Sequence, residues 1–469
     1  MSESRLLRLH ERLPELLLKS DAADLEYYGR DWTRRWTPAP LAISLPRTVA
    51  DVQAIVRWAV EEGVGIVPSG GRTGLSGGAV AANGELVVSF ERMNRVLDFN
   101  AVDRIITVQP GLLLENLQGA ASAHGLFYPV DFASRGSCSI GGNIATNAGG
   151  IRVIRYGNTR EWIAGLKIVT GSGDLLDLNR GLIKNSSGYD LRHLLIGAEG
   201  TLGLVVEASL RLTDAPAASN VMVLALPAMD DLMQVFAECR RRLRLSAFEF
   251  FTDRALAHVL AHGAQDPFEQ VSPFYVITEF DAADETQQAA ALAVFETCAD
   301  KGWVNDGVIS QSAAQAASLW RLREGITESL APAKPYKNDI SVRISAIPAF
   351  MQAMQAMFER EYPHYEVVWF GHIGDGNLHI NVLKDASTTD AAFIVECERV
   401  TALLARTLEE FGGSISAEHG IGLVKLKYLA GTRSVAEIAV MRGIKAVLDP
   451  HGILNPGKVF AVGRVDSGG

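Results

Sequence analysis

PSGGRTGLSGG, Pro68 to Gly78, and GSCSIGGNIATNAGG, Gly136 to Gly150, are the stretches on which the fold turns. Glycine permits positive φ and lets backbone come close to a ligand or another chain segment. Successive amides in such loops form concave anion sites. In the first loop, Ser69, Gly70, Gly71, Arg72, Thr73 and Gly74 follow an apolar strand and carry an embedded cation. That arrangement suits a pyrophosphate, although an ordinary surface turn would read the same way. The second long Gly/Ser/Asn loop in the same half favours the ligand. A doubly wound dinucleotide fold does not fit. Its nearest candidate, Gly63-Val64-Gly65-Ile66-Val67-Pro68, has proline at the third glycine position. It also follows a helix and precedes a strand, the reverse of the required order. No glycine precedes Lys and Ser/Thr in phosphate-loop spacing.

Working outward, Thr48 and Asp51 form a capping-box pattern. Val52, Ile55, Val56, Ala59 and Val60 follow at helical spacing, and Gly63 closes the run. Strands are expected at 65–67, 86–90 and 105–108, and a helix at 114–124. Residues 166–169 and 175–178 flank GSGD as a hairpin, and a strand is expected at 204–212. A length of 469 residues calls for more than one core. The expected organisation is a helical lead-in over 1–45, a Gly-rich domain over 46–215, a second α+β domain with an antiparallel sheet over 216–410, and a C-terminal segment over 411–469. The boundary is set in the stretch Ala215 to Ala218.

Hydrophobic residues are 48% and charged residues 21%, which indicates a globular chain. A formal net charge of -10 argues against a nucleic-acid partner. Cys138, Cys239, Cys298 and Cys397 lie far apart with no CxxC pair, which fits a reducing compartment. The N-terminus has no apolar core with a small-residue cleavage site, and no uncharged apolar run approaches a membrane span. The expected location is cytoplasmic.

The densest chemistry lies later, in GHIGDGNLHINV, Gly371 to Val382, and SAEHGIG, Ser416 to Gly422. His372, His379, Glu418 and His419 fall there, in a chain with 10 histidines. Gly374 and Gly376 disfavour a helix and predict a turn leading into a strand. In that strand Leu378, Ile380 and Val382 face a core, while His379 and Asn381 share the other face. Two imidazoles and a carboxylate suit a borderline metal such as zinc. A further histidine could move a proton near neutral pH. Each histidine alone would read as a hydrogen-bonded structural residue. Glu418 and His419, being adjacent, would point apart in a straight strand, but Gly420 and Gly422 allow a turn.

The two glycine loops, NSSGYDLRHLLIGAEGTLG (Asn185 to Gly203) and LDPHGILNPGKVF (Leu448 to Phe460), together resemble FAD-binding flavoproteins of the vanillyl-alcohol-oxidase type. The resemblance spans nearly the whole chain. It implies an α+β fold with a two-subdomain FAD-binding domain, here 46–215, and a cap domain that carries an antiparallel sheet. It also implies a C-terminal helical segment that completes the metal site and returns to the FAD domain. It places the pyrophosphate at Ser69, Gly70, Gly71, Arg72, Thr73, Gly74 and Leu75. The rest of the cofactor goes to Gly136, Ser137, Gly141, Gly142, Asn143, Thr146, Asn147, Gly150, Glu199, Gly203, Val205 and Asn455. Cys138 is expected to be a packed small residue, so the FAD is expected to be non-covalent.

The histidine segments are similar to the D-2-hydroxyacid dehydrogenase branch of that family, most of all to its D-2-hydroxyglutarate dehydrogenases. The carry-over implies that His372, His379 and Glu418 bind Zn2+ and that His419 is the base and touches substrate. LREGITESL (Leu322 to Leu330) and KPYKNDIS (Lys334 to Ser341) imply that Arg323, Thr327 and Lys337 hold the substrate carboxylate, assisted by Asn381. Arg323 alone would read as a solvated helix-face charge. Arg343 stands where relatives often have proline, a departure in the local loop.

The implied reaction is oxidation of D-2-hydroxyglutarate, or also D-malate, to the 2-oxo acid, with zinc assisting the hydroxyl, His419 taking its proton and flavin the hydride. The expected acceptor is electron-transfer flavoprotein or a quinone, and a homodimer is the expected assembly. D-lactate or glycolate is the rival substrate. A zinc hydrolase without flavin, or a flavin- or metal-carrying subunit without catalysis, is the rival of another class.

Overall fold

The computed structural model describes residues 2–216, 218–282 and 285–461. Residue 217 of the expected boundary and residues 462–469 of the C-terminal segment lie outside them. The chain divides into two compact units. The first comprises Met1–Gly149, Gly157–Ala215 and Glu418–Gly469, and the second Gly150–Tyr156 and Pro216–Ala417.

The first unit holds strands β1 (Leu17–Lys19), β2 (Ala42–Leu45), β3 (Ile66–Ser69), β4 (Leu86–Ser89), β5 (Val96–Asn100), β6 (Ile105–Val108), β7 (Leu126–Phe127), β8 (Ile163–Val169), β9 (Leu175–Leu178), β10 (Leu204–Arg211) and β11 (Thr213–Asp214). One sheet runs β1-β2-β4-β3, another β5-β6-β10-β8-β9, and β7 pairs with β11. In the first sheet β2, β4 and β3 are parallel, and β1 adds on antiparallel. Parallel neighbours need a crossover. Helix Val49–Glu62 carries the chain from β2 to β3, which lie parallel on either side of β4; it is opened by the Thr48/Asp51 capping box and closed by Gly63 at φ 61°. Its apolar stripe, Val52, Ile55, Val56 and Ala59, is fully buried against the strands.

The lead-in therefore differs from a purely helical segment. Helices Ser2–Arg12 and Ala22–Tyr28 alternate with β1 and β2. All four residues of β2 are buried, so the strand shows no polar alternation from which its period could be read. The second sheet is antiparallel throughout. The β8–β9 hairpin around GSGD is present as expected. Helices Leu114–Ala123 and Ile140–Thr146 pack their buried residues into this core.

The second unit holds β12 (Ser219–Leu226), β13 (Leu245–Thr252), β14 (Phe274–Asp281), β15 (Asp306–Ile309), β16 (Tyr336–Ser341), β17 (Val367–Gly371) and β18 (Asn377–Val382). They form one seven-stranded sheet in the order β15-β12-β14-β13-β17-β18-β16. Every pairing in it is antiparallel. Six consecutive residues of β12 are buried, so both faces are covered there. Val221, Val223 and Ala225 share a core with helices Asp253–Ala261 and Ala313–Glu324. Residues 150–156 also belong to this unit, because Arg152 and Arg155 form ion pairs with Glu279 and Asp281 of β14. No helix among the described residues is long and apolar enough to cross a membrane.

Candidate active site

Register decides which side chains of the second unit meet. His379 of β18 pairs with Phe370 of β17 on one side and with Asp339 of β16 on the other. Asn381 pairs with Val368 and with Lys337. Cross-strand partners project from the same face, as do residues two apart. Lys337, Asp339, His379, Asn381 and Phe370 therefore share one face. Leu378, Ile380 and Val382 point the other way and are fully buried. His372 follows β17 in a turn in which Asp375 and Asn377 N–H donate to its carbonyl. Gly376, at φ 93°, closes the turn, and a Cβ there would lie 2.2 Å from the Val342 carbonyl oxygen. The His372 and His379 rings stand 5.2 Å apart, centroid to centroid.

Each imidazole has a carboxylate behind it. Glu249 of β13, 1% exposed, bonds His372 Nδ1 at 2.8 Å. Asp339 Oδ1 lies 3.7 Å from His379 Nδ1 and accepts Asn377 Nδ2 at 2.9 Å. The Glu249 bond to His372 Nδ1 fixes the tautomer that presents Nε2, the usual support of a metal-binding histidine, whereas Asp339 Oδ1 stands beyond hydrogen-bond distance of His379 Nδ1. Burial pushes Asp375 up to about 6, opposed by the charge of His372.

Arg323 is 6% exposed and is not a solvated helix-face charge. Its guanidinium lies 2.9 Å from Glu249 Oε2 and 4.8 Å from the Phe370 ring centroid. Among the described residues its buried Nε–H finds no acceptor. Thr327, four residues on, lies in the next short helix, Ile326–Ser329, and is exposed. Arg343 is exposed at φ −58°, a value that proline also adopts, so the departure at this position leaves the backbone path intact. Ser414 exchanges backbone hydrogen bonds with Ser341 at the end of β16.

Glu418 and His419 open the last segment of the first unit. The Ser69–Leu75 loop, Gly136–Asn147, Glu199, Gly203, Val205 and Asn455 belong to that unit as well. Gly150 belongs to the second. The two glycine loops are in close contact, in part backbone to backbone. A Cβ on Gly71 would lie 1.9 Å from the Ser137 carbonyl oxygen, and one on Gly70 2.2 Å from Ser139 Oγ. Arg72, at φ 56°, lays its guanidinium 4.3 Å from the Tyr27 ring centroid and 4.7 Å from that of Tyr28. Ser139 caps helix Ile140–Thr146, and Asn147 ends it at φ 50°. Asn455 Nδ2 donates to the Gly78 carbonyl at 2.9 Å and to the Glu199 carbonyl at 2.7 Å. Cys138 is buried in the core, and desolvation raises its thiol pKa, as suits a packed residue.

A model of the FAD binding domain matches residues 40–179, and a model of the C-terminal domain of FAD linked oxidases matches residues 215–459. This chain belongs to the FAD-linked oxidase family. Within the family, it is 70% identical over 460 residues to D-2-hydroxyglutarate dehydrogenase of Xanthomonas citri pv. viticola, covering 98% of each chain. It is 55% identical to the protein of that name from Stutzerimonas stutzeri, over 94% of this chain and 96% of the relative. With the mitochondrial D-2-hydroxyglutarate dehydrogenase of Arabidopsis thaliana the identity is 36%, over 96% and 80%. Among solved structures, 4-ethylphenol oxidase from Gulosibacter chungangensis superposes with a TM-score of 0.75 at 18% identity, over 98% of this chain and 97% of that one. p-Cresol methylhydroxylase gives 0.74 at 14% identity, over 98% and 97%. These identities speak for the fold alone: a two-domain FAD-oxidase fold of mixed helix and sheet, as expected.

The residues of this FAD-linked oxidase fit the cofactor. Ser69 Oγ and Asn455 Oδ1 are buried with no hydrogen-bond partner among the described residues, on the two segments that frame the glycine loop. A carbon added at Gly71 has no room, so Gly71→Ala is expected to lose bound FAD. The overpacking is expected to cost about 1–3 kcal/mol or more of stability. Flavin absorbance per protein and thermal unfolding would measure both.

The sequence reading did not single out Glu249, Asp339 or Phe370. A signal for Glu249 existed: a lone acid inside the apolar run SAFEFFT must find a partner if the strand is buried. Nothing local pointed to which partner.

Proposed function

We propose that this chain oxidises D-2-hydroxyglutarate, and D-malate as a shorter dicarboxylate, to the 2-oxo acid, with electrons passing on to electron-transfer flavoprotein or a quinone. The near full-length likeness to the Xanthomonas dehydrogenase carries this reading. The shared face of Lys337, His379 and Asn381, with Arg323 buried nearby, supports it.

In this reading Arg323, Lys337 and Thr327 hold the substrate's carboxylate, with Asn381 donating beside them. His372 and His379, with Glu418 as the third ligand, hold a divalent ion, zinc by the chemistry of the donors. Bound there, the ion supplies Lewis-acid stabilisation of negative charge on the substrate oxygen. His419 takes the hydroxyl proton. The carbon–hydrogen bond at C2 breaks with its electron pair, for which bound FAD is the two-electron acceptor. Glu249 acts on two sides, orienting His372 and neutralising Arg323. A cytoplasmic, homodimeric enzyme is the companion proposal.

Anaerobic stopped-flow reduction of the flavin by a panel of D- and L-2-hydroxy acids tests the reading. D-2-hydroxyglutarate should bleach the flavin fastest, and the L isomer should not. Faster reduction by D-lactate or glycolate would move the assignment to a monocarboxylate. Turnover with an artificial dye under nitrogen should exceed turnover with oxygen alone.

Glu249→Gln should weaken zinc affinity about 10–100-fold, the usual cost of losing a carboxylate behind a metal histidine. Competition with a chromogenic chelator measures this. Unchanged affinity would separate Glu249 from the metal.

A further inference from the structure

We infer that Glu199 is a positioning residue for the base: its carboxylate clamps the two backbone amides that follow the His419 turn. This rests on the reading of His419 as the base. Glu199 Oε1 accepts the Ile421 N–H at 2.7 Å, and Oε2 accepts the Gly422 N–H at 2.8 Å. Two successive amides on the two oxygens of one carboxylate define both the distance and the tilt of the peptide plane.

The fit is close on every side. Gly420, the residue after His419, has φ 81°, and a Cβ there would lie 2.7 to 2.9 Å from the Glu199 carboxyl group. Gly422, at φ 49°, is equally confined, with Ser76 O 2.1 Å from a Cβ. Leu423 and Val424 N–H both donate to that same Ser76 carbonyl, at 2.8 and 3.0 Å. The segment after His419 is thus strapped between Glu199 and the end of the first glycine loop.

Glu199 is itself held in an unfavourable conformation. It has φ 51°, in the left-handed region that a non-glycine residue occupies only at an energetic cost. Such a conformation persists only where the surroundings over-determine it. Here the Glu199 N–H donates to the Ala145 carbonyl at 2.8 Å, and its carbonyl accepts Asn455 Nδ2 at 2.7 Å. Burial raises the carboxyl pKa to about 7, opposed by the two amides and by Lys425. A buried acid held at this cost, with both oxygens on the backbone beside a proton-transfer group, is suited to aiming that group. The family resemblance implies that Glu199 is among the cofactor-lining residues; its carboxylate is engaged with the amides after His419.

Glu199→Gln tests the clamp, because an amide nitrogen opposes one of the two N–H donors. The rate of flavin reduction by D-2-hydroxyglutarate should fall roughly 100-fold, the scale of a displacement of about 1 Å. Substrate KM and FAD content should stay as in the wild type. Gly420→Ala presses on the same contact from the other side and should lower the rate in the same way; it serves if the first variant folds poorly. In a His419→Ala background, Glu199→Gln should cost little more, since both act through one group. Wild-type rates in both clamp variants would overturn the proposal, as would a full extra loss in the double variant. A His419→Ala enzyme that reduces its flavin at the wild-type rate would instead remove the base assignment, and the clamp's role in catalysis with it.

Discussion

His419→Ala is expected to keep its yellow FAD and to lose ~100 to 10,000-fold in the rate of flavin reduction by D-2-hydroxyglutarate. The magnitude follows from the task. The substrate hydroxyl must give up its proton as the C2 hydrogen leaves with two electrons, and an unperturbed imidazole titrates near pH 6.5. Of the histidines in the two segments, His372 and His379 are committed to the metal in the same scheme, which leaves His419 for the proton. Cofactor content should be unchanged, since His419 is not among the residues of the glycine loops. Single-turnover reduction under nitrogen isolates this step from reoxidation. A wild-type rate there would sink the assignment.

Metal removal should be comparably severe. Dialysis against a chelator should lower turnover by roughly 1,000-fold if about 4 kcal/mol of charge stabilisation is lost, and zinc should restore it. His379→Ala should reproduce the loss, and added zinc should not rescue it at the concentrations that rescue the chelated wild type. The two conditions differ in their readout. Chelated protein keeps the residue face of β16 and β18 intact and should still bind a 2-oxo acid through Arg323 and Lys337. Titration of the flavin spectrum with 2-oxoglutarate would follow that binding. Full activity in protein shown by elemental analysis to be metal-free would overturn the role of the ion.

Local patterns made much of this molecule legible. The Thr48/Asp51 box, the apolar spacing to Ala59 and the closing Gly63 specified a helix to its ends, because capping and 3.6-residue periodicity act within one turn. The GSGD hairpin and the turn–strand from His372 to Val382 were readable for similar reasons. Strand β2 was not, since all its residues are buried and no alternation marks its period. The path of residues 150–156 was hidden too. It depends on Arg152 and Arg155 finding acids 127 and 126 residues away.

The sequence by itself determined the class of fold, the two glycine loops, and the face of β18 that carries His379 and Asn381. The loops and the strand face follow from steric rules and periodicities that reach only a few residues along the chain, and the fold class from the resemblance its motifs carry. Only the tertiary structure decided that Glu249 stands behind His372, 123 residues away, and that Glu199 grips amides 222 and 223 residues further on. A buried carboxylate must find donors, but the chain does not carry the address of those donors. Strand register and loop packing supply it.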